Sequence, residues 1–216
     1  MGIGIKIIQV GSKMKKTLIC LSLVFTAFVY AGDIEKGKTK AAMCTSCHGV
    51  DGNSSNPVWP KIAGQHEKYL TRQLELFKSG ERKGTVMSGM TAALSQRDME
   101  DISAFFASQK SNIGSSDENL IAKGKAIYEG GKSKLNIPAC MACHGISGKG
   151  NPLSGYPVLA SQHAAYTEQR LLAYKAGETV KNEGDVNGHI MAGVVKYLDD
   201  DEIKAVANYL QGLYSE

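Results

Sequence analysis

Two short stretches of this 216-residue chain have the composition and spacing to do chemistry: Cys44-Thr45-Ser46-Cys47-His48 and Cys140-Met141-Ala142-Cys143-His144. Two cysteines three apart with a histidine directly after them form the attachment signature of a c-type haem. Both thiols can add to the two vinyl groups of one porphyrin, and the imidazole then reaches the iron from one face. Zinc would accept such a cysteine pair, but it needs four ligands in a tetrahedron. A thioredoxin-like dithiol needs a βαβ surround, which the sequence does not offer. The pentapeptides therefore predict two covalently attached haems, held by Cys44, Cys47, Cys140 and Cys143, with His48 and His144 as iron ligands.

Each iron then needs a group on its other face. After Cys143 the chain contains a single methionine, Met191, in His189-Ile190-Met191-Ala192-Gly193. The end of the chain repeats the middle at an offset of 104, matching Leu94–Phe106 to Leu198–Leu210, and subtracting that offset selects Met87 in Val86-Met87-Ser88-Gly89-Met90. Met90 then corresponds to Val194 and Met99 to Ile203, so both read as core. A thioether is a soft ligand, and His/Met ligation raises a haem's potential. His66 and His163 compete as a pair, because they too stand at equivalent places; their position beside a glutamine before a helix suggests a surface or propionate-side role. His189 has no counterpart, since Thr85 stands at its place, and reads as a loop residue.

The elements that must position these groups are also written twice. The pentapeptides repeat at an offset of 96, and Trp59–His66 matches Tyr156–His163 at 97. Insertions thus fall in loops while helices keep their length, as in a duplicated domain. Asp33 to about Thr45 and Asp117 to Tyr128 read as helical lead-ins. A second helix is expected from about His66 to Lys78, with Tyr69, Leu70, Leu74 and Phe77 on one face, and its copy carries Tyr166, Leu171 and Tyr174. Ser95 and Asp199 read as N-caps of the last helices, which present Met99, Ile102, Phe105 and Phe106 in one copy and Ile203, Val206, Tyr209 and Leu210 in the other. These stripes read as core, and hydrogen bonds from Tyr69 and Tyr166 to haem propionates are the alternative to plain packing. No alternating strand pattern of useful length appears. The predicted class is all-α: an N-terminal domain over 32–112 and a C-terminal domain over 113–216, joined near Ser111–Ser116. A half of this size has a modest core, and a haem's apolar faces would enlarge it.

Residues 1–31 read as a secretion signal, with Lys13, Lys15 and Lys16 before the apolar run Thr17–Val29 and cleavage expected after Ala31. A retained anchor is the alternative. Cys20 would leave with the signal, so that every remaining cysteine belongs to a pentapeptide. Lys6, Lys13, Lys15 and Lys16 would leave too, which turns a formal charge of +4 into 21 basic against 21 acidic residues. Residues 32–113 carry 11 basic and 9 acidic side chains, and residues 114–216 carry 10 and 12. Nothing here suits nucleic acid, which would want a strongly basic face.

Taken together, the chain resembles the dihaem cytochrome c4 family, two class I cytochrome c folds in tandem. The resemblance covers essentially all of residues 32–216. It is carried by Gly32-Asp33 with Gly37, Cys44–His48 followed by Gly49–Ser54, Pro60–Gln65, Met87–Met90, and Leu94-Ser95 with Asp98. In the second half it rests on Pro138-Ala139-Cys140, Gln162–Tyr166 and Gln211-Gly212-Leu213. The acidic run Asp199–Glu202 departs from the pattern and bears only on local surface charge. The resemblance implies axial ligation by Met87 and Met191. It implies that the Pro60 and Pro157 carbonyls orient the haem histidines, and that no position on either iron is open to substrate. It further implies a periplasmic electron carrier, soluble or associated with the membrane surface, between a quinol–cytochrome c oxidoreductase and a haem–copper terminal oxidase. The cytochrome subunit of a flavin-containing sulfide dehydrogenase shares this architecture. A dihaem thiosulfate dehydrogenase or peroxidase would need a displaceable ligand at one iron.

Overall fold

The computed structural model describes Met1, residues 31–178 and residues 185–214. The stretch expected to be a secretion signal therefore lies outside the described residues, apart from Met1 and Ala31. From Ala31 onward the chain forms one compact unit, built from the same five helices in the same order twice. The first half contains α1 (Ile34–Lys40), α2 (Thr45–His48), α3 (Glu67–Ser79), α4 (Thr85–Thr91) and α5 (Gln96–Ala107). The second contains α6 (Glu118–Gly130), α7 (Met141–His144), α8 (Ala164–Lys175), α9 (Val186–Val195) and α10 (Asp200–Gly212). Among the described residues there are no strands, only the isolated bridges Lys132–Ile137 and Asn151–Tyr156.

The helix starts follow the sequence closely. Asp33 caps α1 by accepting from the N–H groups of Glu35 and Lys36, and Asp117 caps α6 by accepting from Asn119. Ser95 and Asp98 form a reciprocal capping box on α5, as do Asp199 and Glu202 on α10. Such boxes satisfy backbone donors that the first turn leaves without partners.

The first and last helices of each half cross at a glycine. A Cβ on Gly37 would collide with the Asp101 carbonyl of α5, and one on Gly124 would collide with the Ala205 carbonyl of α10. Asp101 and Ala205 are themselves 104 apart, so the two crossings are equivalent. Around them lie Ala41, Leu70, Ile102, Phe105 and Phe106 in the first half. The second half gathers Ile127, Tyr128, Ile137, Val195, Leu198, Ile203, Val206 and Leu210.

Two features differ from the sequence expectation. The lead-in of the first half is not one helix to Thr45: α1 ends at Lys40, a 3₁₀ turn over Ala41–Met43 follows, and α2 carries the motif. The second half has extra chain between α6 and its motif, where Gly131–Ala139 makes a small loop closed by the Lys132–Ile137 bridge. Gly37 and Gly124 stand 87 apart whereas the motifs stand 96 apart, so nine residues are inserted here.

The halves are joined by reciprocal amide clamps. The Gln65 side chain accepts from the Val158 N–H and donates to the Val158 carbonyl, both at 2.9 Å. The Gln162 side chain does the same to Lys61, at 2.9 and 2.7 Å. Gln65 and Gln162 are equivalent, as are Lys61 and Val158, so the junction has an approximate two-fold axis. An ion pair at 2.7 Å between Arg72 on α3 and Asp185, the cap of α9, also crosses it.

Candidate haem sites

Each pentapeptide folds the same way. Its first cysteine precedes a four-residue helix that ends on the histidine, and a glycine with φ of 83° (Gly49) or 77° (Gly145) turns the chain away. The following loop doubles back. The Gly52 carbonyl accepts from Ile62 and Ala63, and the Gly148 carbonyl accepts from Leu159 and Ala160. This brings a proline carbonyl over each histidine ring: His48 Nδ1 lies 3.0 Å from the Pro60 oxygen, and His144 Nδ1 lies 3.1 Å from the Pro157 oxygen. Since a carbonyl only accepts, Nδ1 must carry the proton, which leaves Nε2 with a bare lone pair. Both rings are buried, and burial pushes their pKa down against the opposing effect of the proline carbonyl. The neutral, ligand-ready imidazole is therefore favoured.

A cavity of about 1410 Å³ runs through the junction of the halves and is walled by both motifs. It exceeds the roughly 300–1,000 Å³ of ordinary ligand pockets, which suits two large groups. Cys44, Cys47, His48 and Met87 lie on its wall in the first half, and Cys140, Cys143, His144 and Met191 in the second. Per half the donors are two thiols, an imidazole and a thioether, a set suited to haem attachment with soft axial ligation. Burial pushes the Cys44 and Cys140 thiols up to about 11, unlike the depressed values of redox-active dithiols. Among the described residues no three His, Cys, Asp or Glu side chains gather as a zinc site would require.

The methionines sit on two helices that the sequence did not announce, α4 and α9. Met87 and Met90 are three apart on α4 and both line the cavity, as do Met191 and Val194 on α9. Met90 is thus half-buried on the wall rather than in the core, while Met99 is buried in α5 as expected. His66 and His163 are not on the wall. Their Nε2 atoms are held at 2.8 Å by the Lys149 carbonyl and at 2.7 Å by the Ser54 carbonyl, each in the opposite half. Both rings tie the halves together. His189 is exposed. Tyr69 and Tyr166 are half-buried on the cavity wall instead of packed as plain core. The polar residues of the junction were missed in the sequence, though the repeated Gln-His pair was a signal for them.

The cytochrome c family model matches this chain twice, over residues 34–110 and 121–214. The cytochrome c4 of Stutzerimonas stutzeri is 43% identical over 213 residues, covering 93% of this chain and 100% of that protein. The chain belongs to the dihaem cytochrome c4 family. Its fold agrees: the crystal structure of reduced recombinant cytochrome c4 from Pseudomonas stutzeri superposes with a TM-score of 0.81 at 44% identity, covering 85% of this chain and all of that one. A more distant relative is the thiosulfate dehydrogenase electron acceptor of Stutzerimonas stutzeri, 36% identical over 179 residues and covering 80% of both chains. As a cytochrome of this family the chain is all-α, two cytochrome c folds in tandem, and binds two covalently attached c-type haems. It is a dihaem electron carrier whose partners are redox proteins.

Proposed function

We propose that this cytochrome is exported to the periplasm and shuttles electrons from a quinol-oxidising complex to a haem–copper terminal oxidase. Residues 1–31 are removed as a signal, and the two haem domains occupy 32–112 and 113–216. Cys44 and Cys47 hold one haem and Cys140 and Cys143 the other, with His48 and Met87 on the first iron and His144 and Met191 on the second. The observation that carries this reading is the symmetric donor set. In each half a proline-oriented imidazole and a methionine line the same cavity, a pair that would ligate an iron held there from both sides and leave no position for substrate. The bound haem supplies reversible one-electron chemistry. The chain's own part is to fix the imidazole tautomer, exclude water and hold the ligands through both oxidation states, which keeps reorganisation small. Among the described residues no helix is long and apolar enough to cross a membrane.

The test is reconstitution. The purified protein should be reduced by quinol-oxidising membranes and reoxidised by a haem–copper oxidase, with both haems turning over. Failure to react with either would refute the assignment. A second reading is favoured by the 36% identity to a thiosulfate dehydrogenase electron acceptor: the same closed haems would then take electrons from thiosulfate oxidation. Rapid reduction by a thiosulfate dehydrogenase, with none by quinol-oxidising membranes, would select it.

A further inference from the structure

Ser103 carries a buried hydroxyl that no other group in the protein engages. It lies in the interior of α5 with no exposure to solvent, and its Oγ has no hydrogen-bond partner. A serine inside a helix often returns its hydroxyl to the carbonyl four residues back, but here that bond, to Met99, is not made. Other buried hydroxyls of the molecule do find a carbonyl. Ser54 donates to Asn56 at 3.0 Å, Thr91 to Met87 at 3.0 Å and Ser161 to Leu213 at 3.1 Å.

Ile102, Ser103 and Phe106 are the residues by which α5 walls the haem cavity. In the second half Val206 and Leu210 take the first and last of these places on the wall. Ala207, fully buried, stands at the middle one. In polarity the two stretches differ by one oxygen, and that oxygen is not there for stability. A buried hydroxyl without a partner destabilises its fold, and Ala207 shows that the equivalent helix packs with a methyl in its place. An enclosed hydroxyl with a free rotor can turn toward whatever charge the cavity holds. A ferric haem carries one positive charge more than a ferrous one. A hydroxyl that turns its oxygen toward the haem therefore stabilises the ferric state, and a methyl does not. Polarity enclosed around a redox centre is one of the levers a protein holds on its potential.

We propose that Ser103 tunes the first haem, the one attached at Cys44 and Cys47, by setting its potential lower than the same pocket would with alanine. Ser103 supplies neither a thioether nor an axial ligand; it acts on the energy of the electron and not on the attachment of the haem. The inference rests on a haem in this cavity, and not on which methionines bind the irons or which redox proteins react with them.

The test is potentiometric titration of the dihaem protein in the wild type, Ser103→Ala and Ala207→Ser, with two haems per chain verified in each. The haems are followed separately by their paramagnetically shifted methyl resonances, assigned through contacts to Phe106 and Leu210. In Ser103→Ala the equilibrium constant for reducing the first haem should rise about threefold, or about 28 mV at about 59 mV per tenfold. The melting temperature should be no lower than that of the wild type. In Ala207→Ser the constant of the second haem should fall by a similar factor. A first-haem constant unchanged or lowered in Ser103→Ala would overturn the proposal and leave the hydroxyl a packing atom. An equal shift at both haems would overturn it too, since that reports a change in the whole fold. If Ser103→Ala loses its haem, Ala207→Ser decides, and a second-haem constant unchanged or raised there would overturn the proposal.

Discussion

Asp101 and Ala205 occupy the same place in the two halves, on the last helix where the first crosses it, and they hold that crossing by different chemistry. The Asp101 side chain is fully buried. It accepts from the Asp33 N–H at 2.8 Å, from Lys40 at 3.0 Å and from Arg97 at 3.0 Å. In the second half the Lys40 and Asp101 positions are taken by Ile127 and Ala205, both buried. There the helix start is held by a neutral amide: Asn208 accepts from the Asp117 N–H at 2.9 Å and donates to its carbonyl at 3.0 Å. The cap carboxylates keep a lysine in both halves, but from different chain. Lys40 of α1 pairs with Asp98 at 2.5 Å, and Lys132 of the inserted loop pairs with Glu202 at 2.7 Å. One fold thus tolerates either a charged or an apolar crossing, provided every buried polar group finds a partner.

The largest expected effect breaks what the halves share. Gly37→Val and Gly124→Val each push a side chain into a backbone carbonyl of the crossing helix, and each should destabilise its half by about 3 kcal/mol or more. Thermal unfolding of the haem-loaded variants, with limited proteolysis to identify the affected half, checks this.

The next prediction sharpens the difference. Asp101→Ala strands the Asp33 N–H and takes one of two carboxylate partners from Lys40 and from Arg97, which keep Asp98 and Glu100, and should cost about 1–3 kcal/mol. The double variant Lys40→Ile/Asp101→Ala copies the second half's residues at these two places and should recover part of that loss, since apolar replacement of a buried pair is often near neutral. A double variant no more stable than Asp101→Ala would show that the crossings are not interchangeable.

Acid should separate the halves as well. Burial raises the Asp101 pKa, but the Asp33 N–H, Lys40 and Arg97 outweigh it and hold the carboxyl below its ordinary value of 3.8. Its stabilisation is therefore complete above that value and is lost as pH falls through the lower, folded one. Hydrogen exchange in α1 and α5 should accelerate before that in α6 and α10 as pH drops below 3.8, and Asp101→Ala should abolish the difference.

A smaller effect is expected at the junction. Gln65→Ala and Gln162→Ala each remove two hydrogen bonds between halves, about 1–2 kcal/mol each. Similar losses would confirm the two-fold relation, and a much larger one for either would break it.

The parts of this molecule legible in the sequence are those fixed by local chemistry. The pentapeptides, the caps at Ser95 and Asp199, and the periodic faces of α3 and α5 each work through neighbours a few residues away. What was hidden depends on distant partners. Helix α4 carries glycine and polar residues, and α9 is apolar on most sides without a distinct stripe; both line the cavity. The Gly131–Ala139 insertion has no counterpart to align with. Gln65, Gln162, His66 and His163 look like exposed polar residues before a helix until the opposite half supplies their acceptors. Arg82, in Ser79-Gly80-Glu81-Arg82-Lys83-Gly84, reads as a solvated loop although it is buried.

The central claim is that each haem is closed by a methionine from its own half, and the far-red absorption band of the iron–thioether bond in the oxidised protein tests it most directly. Met87→Ala and Met191→Ala should each remove half of that band and the double variant all of it, with Met90→Ala leaving it intact. A band unchanged in both single variants, or lost in Met90→Ala instead of Met87→Ala, would contradict it.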